Sequence, residues 1–217
     1  IVDQLGVGEM FPLSSPGDRI NPKNMSESDK KLLPSDKDTL YRAVVARGNY
    51  LSIDRSDIRY TVKELARRMS QPREIDYRQL VHFGRYLRGK MRVINQFKYQ
   101  KNRKIMDVWS DTDHAGCLET RKSTTGGVIN FGERAIKHWS STQTLISLSS
   151  GEAEYYGCVR AGSHALGVNS MLADLGVTGK RLRIKADASV AKSLASRRGL
   201  GGIRHIEVNQ LWLQEKV

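Results

Sequence analysis

Cysteine is scarce: the 217 residues contain two, Cys117 and Cys158. That is too few for a disulfide scaffold, and no C-x-x-C spacing offers a zinc site. Both are therefore expected as reduced thiols in an intracellular protein. No apolar run approaches the ~18 residues that a membrane span needs, and no signal-peptide pattern opens the chain. Internal repeats and low-complexity tracts are also missing. What remains is an ordinary globular composition, 39% hydrophobic and 27% charged. The length admits one large domain or two small ones. The chain begins at Ile1 and its last helical pattern stops at Val217, so it reads as a piece of something longer.

The net charge of +13 is unevenly placed. Residues 1–40 carry 5 basic and 7 acidic side chains, residues 41–104 carry 17 and 5, and residues 105–217 carry 14 and 11. A strongly basic middle beside a near-neutral remainder suggests a polyanion held by the first and worked on by the second. A solvated, arginine-rich helical surface is the plainer alternative.

Residues 1–38 show turn formers and mixed charge without periodicity, which predicts an irregular arm outside any core. Residues 39–103 read as a basic helical module. In "SDIRYTVKELARRMS", Ile58, Val62, Leu65, Ala66 and Met69 form one buried stripe, with Ser56 or Asp57 able to cap its start. After "SQP", Tyr77, Leu80, Val81, Gly84 and Leu87 repeat at helical spacing up to Gly89. Arg67 and Arg68 on the first helix and Arg85 and Arg88 on the second are candidates for a phosphate backbone.

From residue 104 to 217 the texture is α/β. "KIMDVWSD", "TTGGVINFG", "RAIKHWSS" and "LRIKAD" alternate as strands, and helical patterns fill residues 151–175, 189–197 and 206–217. Three consecutive strands, a helix, a fourth strand and more helices imply a mixed sheet, antiparallel first and parallel later.

Carboxylates fall at informative places in this segment. Asp111 ends the first strand, with Asp113 two residues on, and Asp187 ends the strand "LRIKAD". In "SLSSGEAEYYG", Ser149 and Glu152 match a capping box, so Glu152 satisfies backbone N–H groups at the helix start. Glu154 shares a face with Cys158, Ala161, Ala165 and Val168, whose small residues let the helix lie close on a sheet. Glu207, after His205, opens the final helical pattern, where a first-turn carboxylate also suits the helix dipole. Four carboxylates converging from two strands and two helices would repel one another unless divalent cations bind them. Oxygen-only ligation points to Mg²⁺ or Mn²⁺, and two such ions would suit phosphodiester hydrolysis. Solvated surface acids remain the alternative.

These residues carry a likeness. The stretch "SDTDHAGCLETRKSTTGGVINFG…IKHWSSTQTLISLSSGEAEYYG" resembles the ribonuclease H domain of copia-type LTR retrotransposon polyproteins. That family reads S-D-A-D-W-A-G, R-K-S-T-S-G, W-S-S-K-Q and S-S-T-E-A-E-Y, then C-D-N and K-H-I-D. Residues 39–89 resemble the C-terminal, thumb-like end of the same family's reverse transcriptase. The resemblance implies a ribonuclease H-like mixed sheet with flanking helices, C-terminally truncated, behind that basic module. It implies endonucleolytic hydrolysis of the RNA strand of RNA–DNA hybrids under two Mg²⁺ ions, Mn²⁺ being able to substitute. The implied metal ligands are Asp111, Glu154, Asp187 and Glu207, with His205 as a further catalytic candidate helping product release. Arg121, Lys122, Ser123 and Thr124 of "RKSTTGG" would meet phosphates, although a hairpin turn accounts for that segment nearly as well.

The implied partners are the hybrid and the reverse transcriptase domain of the same polyprotein, with no membrane. The implied setting is a cytoplasmic virus-like particle or the nucleus. The sequence departs from the family pattern at several points. Glu207 replaces an Asp, His114 a Trp and Ser56 a Pro, "VNQLW" replaces a segment that usually bears Arg, Tyr and His, and the loop at 197–202 is glycine-rich. A catalytically silent, nucleic-acid-tethering module is the alternative these departures keep open. Asp113, next to Asp111, is expected to serve the turn.

Overall fold

The computed structural model describes residues 1–101, 104–199 and 205–216. The chain divides into two units, Ile1–Gln96 and Phe97–Val217.

The first unit is helical: α1 (Glu27–Lys30), α2 (Ser35–Leu51), α3 (Arg59–Ala66) and α4 (Glu74–Gly89). The expected stripes are buried, with Ile58, Val62 and Leu65 from the α3 region meeting Leu80, Phe83 and Leu87 of α4 and Tyr41, Val44 and Val45 of α2. The amino-terminal arm overturns its expectation. Leu5, Val7 and Leu33 are buried in this same core. A β-carbon added at Gly84 would lie 2.7 Å from Leu5 Cδ1 and 3.2 Å from Val7 Cγ2, so the arm packs directly on the α4 backbone. Local periodicity cannot report such a contact, because the arm's apolar residues are few and separated by turns.

Neither Ser56 nor Asp57 caps α3, whose N-cap is Ile58 without a side-chain bond. Asp57 instead accepts from Arg55 Nε at 2.8 Å and Nη2 at 2.7 Å and from Tyr86 Oη at 2.7 Å. Arg55 is 6% exposed. Its guanidinium, foremost, holds the Asp57 carboxyl down at about 2.

The second unit is a four-stranded sheet in the order β3-β2-β1-β4, formed by β1 (Ile105–Thr112), β2 (Thr124–Phe131), β3 (Arg134–Thr142) and β4 (Arg181–Lys185). β1 pairs antiparallel with β2 and parallel with β4, and β2 pairs antiparallel with β3, giving the expected mixed topology. α5 (Ser150–Asp174) crosses between β3 and β4, and α6 (Ser189–Ser196) follows. The last helical segment is a 3₁₀ stretch, Val208–Glu215, rather than an α-helix. Leu200 to Arg204, including part of the glycine-rich loop, and Val217 lie outside the described residues.

α5 is buried along most of its length because it serves two clusters. Ala161, Ala165 and Val168 lie on Met106, Val108, Ile129 and Trp139 of the sheet. Tyr155, Tyr156, Cys158 and Val159 pack with Ala191, Leu194, Ile206 and Leu213. Gly157 sets how closely the helix approaches, since a β-carbon there would stand 2.4 Å from Thr112 Oγ1 and 3.1 Å from Ser110 Oγ. No helix among the described residues is long and apolar enough to cross a membrane.

Candidate metal centre

Three carboxylates meet at one end of the sheet. Asp111 stands near the end of β1, Asp187 two residues past the end of β4, and Glu154 one turn into α5. Their positions follow from the pairing. Parallel register sets Asp107 beside Arg183 and Trp109 beside Lys185, so Asp111 and Asp187 fall together as the two chains leave the sheet. The Gly157 contact brings α5 onto the same strand end. One oxygen from each of Asp111, Glu154 and Asp187 lies within 4.8 Å of the others.

Glu154 is the buried member, 7% exposed, while both aspartates are open to solvent. Its Oε1 accepts from the Thr112 backbone N–H at 3.1 Å, and its Oε2 is buried with no hydrogen-bond partner. Burial, then the Asp187 and Asp111 charges, push its carboxyl up to about 7 against the pull of the Thr112 N–H. A buried acceptor left without a donor is costly, and so is a negative charge beside two others. A cation would relieve both. The donors are hard oxygens, which fit a divalent ion of the Mg²⁺ or Mn²⁺ type. Cys158 is no competing ligand: burial, then Glu154 and Asp187, push its thiol up to about 11 and keep it protonated.

Glu207 does not join this group. It stands at the N-cap position of the final 3₁₀ segment without a side-chain capping bond, is exposed, and accepts from Asn209 Nδ2 at 3.0 Å. His205 also stands elsewhere, with Nε2 2.9 Å from Glu152 Oε2. Glu152 is 3% exposed and forms half of the expected capping box, its carboxylate meeting the Leu148 N–H rather than that of Ser149. Its N–H donates to Ser149 Oγ at 3.2 Å, and its Oε2 accepts from the Leu148 N–H at 2.9 Å. Tyr156 Oη donates to Oε1 at 2.7 Å. Burial alone would raise this carboxyl, but His205, Tyr156 and the Leu148 N–H together hold it below its usual value. The collinear motif gave the order of these residues but not their place. Glu207 and His205 follow a loop whose path no local pattern specifies.

Asp113 is separated from Asp111 as expected. Its N–H donates to Thr124 O at 3.1 Å, and its Oδ1 accepts from the Thr124 N–H, which closes the turn between β1 and β2. In "RKSTTGG", Arg121 is exposed in the left-handed region (φ 58°) and Lys122 is partly exposed. Ser123 is a correction: it is fully buried, its Oγ accepting from the Ala115 N–H at 3.0 Å and lying 3.2 Å from Ser147 Oγ. It ties two loops and cannot face a phosphate. Thr124 is half-buried at the strand start. In the first unit, the four arginines proposed for phosphates all have partners within the protein. Arg67 pairs with Glu64 at 3.0 Å, Arg68 stands 3.8 Å from Asp76, Arg85 donates to Phe11 O at 2.8 Å, and Arg88 donates to Met10 O.

Gln143, which closes the "WSSTQ" motif, has a role that its local pattern does not announce. Its Nε2 donates to Ala153 O at 2.8 Å and Thr125 Oγ1 at 2.9 Å, and its N–H donates to Ser123 O at 2.8 Å. It thereby holds the start of α5, and so Glu154, against β2.

Fold and site together define an α/β protein with a three-carboxylate cluster at the end of a mixed sheet. The chain is a homologue of retrovirus-related Pol polyproteins from copia-type transposons. It is 28% identical over 164 residues to the Pol polyprotein of transposon TNT 1-94 of Nicotiana tabacum, covering 75% of this chain and 12% of that one. It is 32% identical over 139 residues to that of transposon RE1 of Arabidopsis thaliana, covering 64% and 9%. An uncharacterised mitochondrial protein of Arabidopsis thaliana is 31% identical over 156 residues, covering 71% and 62%. The chain thus spans less than two thirds of the mitochondrial protein and about a tenth of the polyproteins. No family model and no solved structure matches it.

Proposed function

We propose that the second unit is a ribonuclease H-like hydrolase that cleaves the RNA strand of RNA–DNA hybrids at Asp111, Glu154 and Asp187. The observation that carries this reading is the convergence of those carboxylates, one oxygen of each within 4.8 Å of the others, with Glu154 buried and its Oε2 without a partner. A divalent ion held there would lower the pKa of a bound water and neutralise charge on the scissile phosphate. The protein's own part is to aim the ligands. Thr112 N–H fixes one Glu154 oxygen and leaves the other without a hydrogen-bond partner. The close seat of α5 on β1 at Gly157 keeps Glu154 against the strand end. Lys122 and Arg121, in the loop between β1 and β2, would meet phosphates along the bound strand. A second ion would need Glu207, which stands outside the group. The three-ligand cluster supports one ion, and the two-ion expectation rests on movement of the 205–207 segment.

In the polyprotein setting, the basic first unit is the C-terminal, thumb-like piece of a reverse transcriptase, delivering hybrid from that domain to the hydrolase. The position of Glu207 specifically favours a second reading, a catalytically silent module that binds hybrid without cutting it. A labelled RNA–DNA hybrid separates the two. The first reading expects Mg²⁺-dependent cleavage of the RNA strand, lost in Asp111→Asn. Intact hybrid in both Mg²⁺ and Mn²⁺, with binding retained, establishes the second.

A further inference from the structure

The end of the sheet opposite the carboxylates has another chemistry. β1 starts there at Ile105, β4 at Arg181, and the β2–β3 turn spans Phe131 to Arg134, whereas Asp111 pairs with Gly126 at the far end. Just ahead of β1, Phe97 and Tyr99 are 60% and 91% exposed, and the exposed Lys98 and Lys101 are interleaved with them. This segment is fastened to the turn. Gln100 Nε2 donates to Phe131 O at 2.7 Å, and its Oε1 accepts from the Glu133 N–H at 3.2 Å. Arg134 donates to Lys98 O, and its guanidinium carbon lies 5.6 Å from the Phe97 ring centroid. Just ahead of β4, Lys180 Nζ stands 5.2 Å from the ring centroid of Phe131 on that turn.

The result is a fixed ledge on which aromatic faces alternate with cations. Exposed rings so placed do not build a protein interface, which wants its apolar groups gathered at a centre with a polar rim. A single-stranded polynucleotide matches both features, since every base offers a π-face and every link a phosphate. We propose that this ledge binds single-stranded polynucleotide, with bases stacked on Tyr99 and Phe97 and phosphates paired with Lys98 and Lys101. Six residue steps along β1 separate the ledge from Asp111, about 20 Å, or about six nucleotides at the ~3.4 Å rise per strand. The site does not depend on the hydrolase reading.

The test is fluorescence anisotropy of a labelled oligo-dT of about 12 nucleotides on the full chain, with chelator present. Lys98→Glu/Lys101→Glu is expected to weaken binding by at least ~10-fold and to flatten the salt dependence by about 1.5 in log–log slope. Tyr99→Ala is expected to weaken it about tenfold, and Tyr99→Phe to restore it. Lys137→Glu/Arg160→Glu makes the same charge change at other exposed positions of this unit, and it should cost far less. The proposal is overturned if the two double variants behave alike, or if Tyr99→Ala binds as the wild type does. It is also overturned if a blunt duplex binds as tightly with the same response, or if the wild type does not bind. Uncut hybrid with these binding results intact would remove the hydrolase and leave the ledge.

Discussion

Replacing Glu154 by Gln should stabilise the cation-free protein, an unusual outcome for a buried site. The side chain is 7% exposed, has one oxygen without a partner, and faces two aspartates. Its carboxyl is raised from 4.5 to about 7. At ~1.4 kcal/mol per pH unit between those values, keeping it ionised in the fold costs about 3 kcal/mol. The sign follows from the direction. A raised carboxylate leaves the folded state unpenalised below about pH 4.5, brings in the cost as pH rises to about 7, and keeps it constant above. Glutamine has nearly the same shape, still accepts from the Thr112 N–H, and carries no charge. In chelator near pH 8, Glu154→Gln should therefore be about 2–3 kcal/mol more stable than wild type, or about 5–10 °C in melting temperature.

The gap should narrow towards about pH 5, and Mg²⁺ should close it by stabilising the wild type alone. All three tryptophans, Trp109, Trp139 and Trp212, lie in the second unit, so thermal melts followed by tryptophan fluorescence report its unfolding. Equal stability of the two proteins near pH 8, or a gap independent of pH, would refute the account of a repulsive cluster awaiting a cation.

Other expectations test neighbouring claims. Asp113→Ala should cost about 1 kcal/mol by removing the acceptor for the Thr124 N–H. It should leave Mg²⁺ binding by calorimetry unchanged, whereas Asp111→Asn should weaken it severely. Leu5→Ala should destabilise the first unit by about 2–3 kcal/mol in urea unfolding followed by circular dichroism, and an effect near zero would return the arm to solvent. Asp57→Asn should cost about 2 kcal/mol near neutral pH, a figure reduced for the partial exposure of Asp57 and reflecting a buried Arg55 left unpaired. Because the Asp57 carboxyl is depressed, its contribution is present above about pH 4. The difference from wild type should then fade as pH falls towards about 2.

The strands and α5 were legible because each carries a one-sided burden that repeats in the sequence. Met106 and Val108 alternate with Asp107 and Trp109, and the small residues from Cys158 to Val168 recur at helical steps. Glu154 could be chosen over Glu152 on the same grounds, since one lies on the sheet-facing stripe and the other in a capping position. The failures share a physical cause, dependence on contacts between distant segments. Ser123 is buried only because Ser147 and Ala115 close over it. Leu5 and Val7 enter the core only because α4 presents a glycine to receive them. His205 is set by Glu152 and Glu207 by Asn209, and nothing in "RHIE" names either partner.

The sheet order has a consequence for how the carboxylate group comes apart. β1 lies between two paired neighbours, but β4 is a five-residue edge strand held on one side alone. Asp111 and Glu154 therefore ride on the part of the unit that opens last, and Asp187 on a part that opens early. Amide hydrogen exchange should run faster along β4 than along β1, and a bound ion should slow β4 most. Ligand capture and the setting of that edge strand would then be one event. In the ion-free protein Asp187 would leave the group more often than Asp111 or Glu154, and a bound ion would hold the edge strand in place.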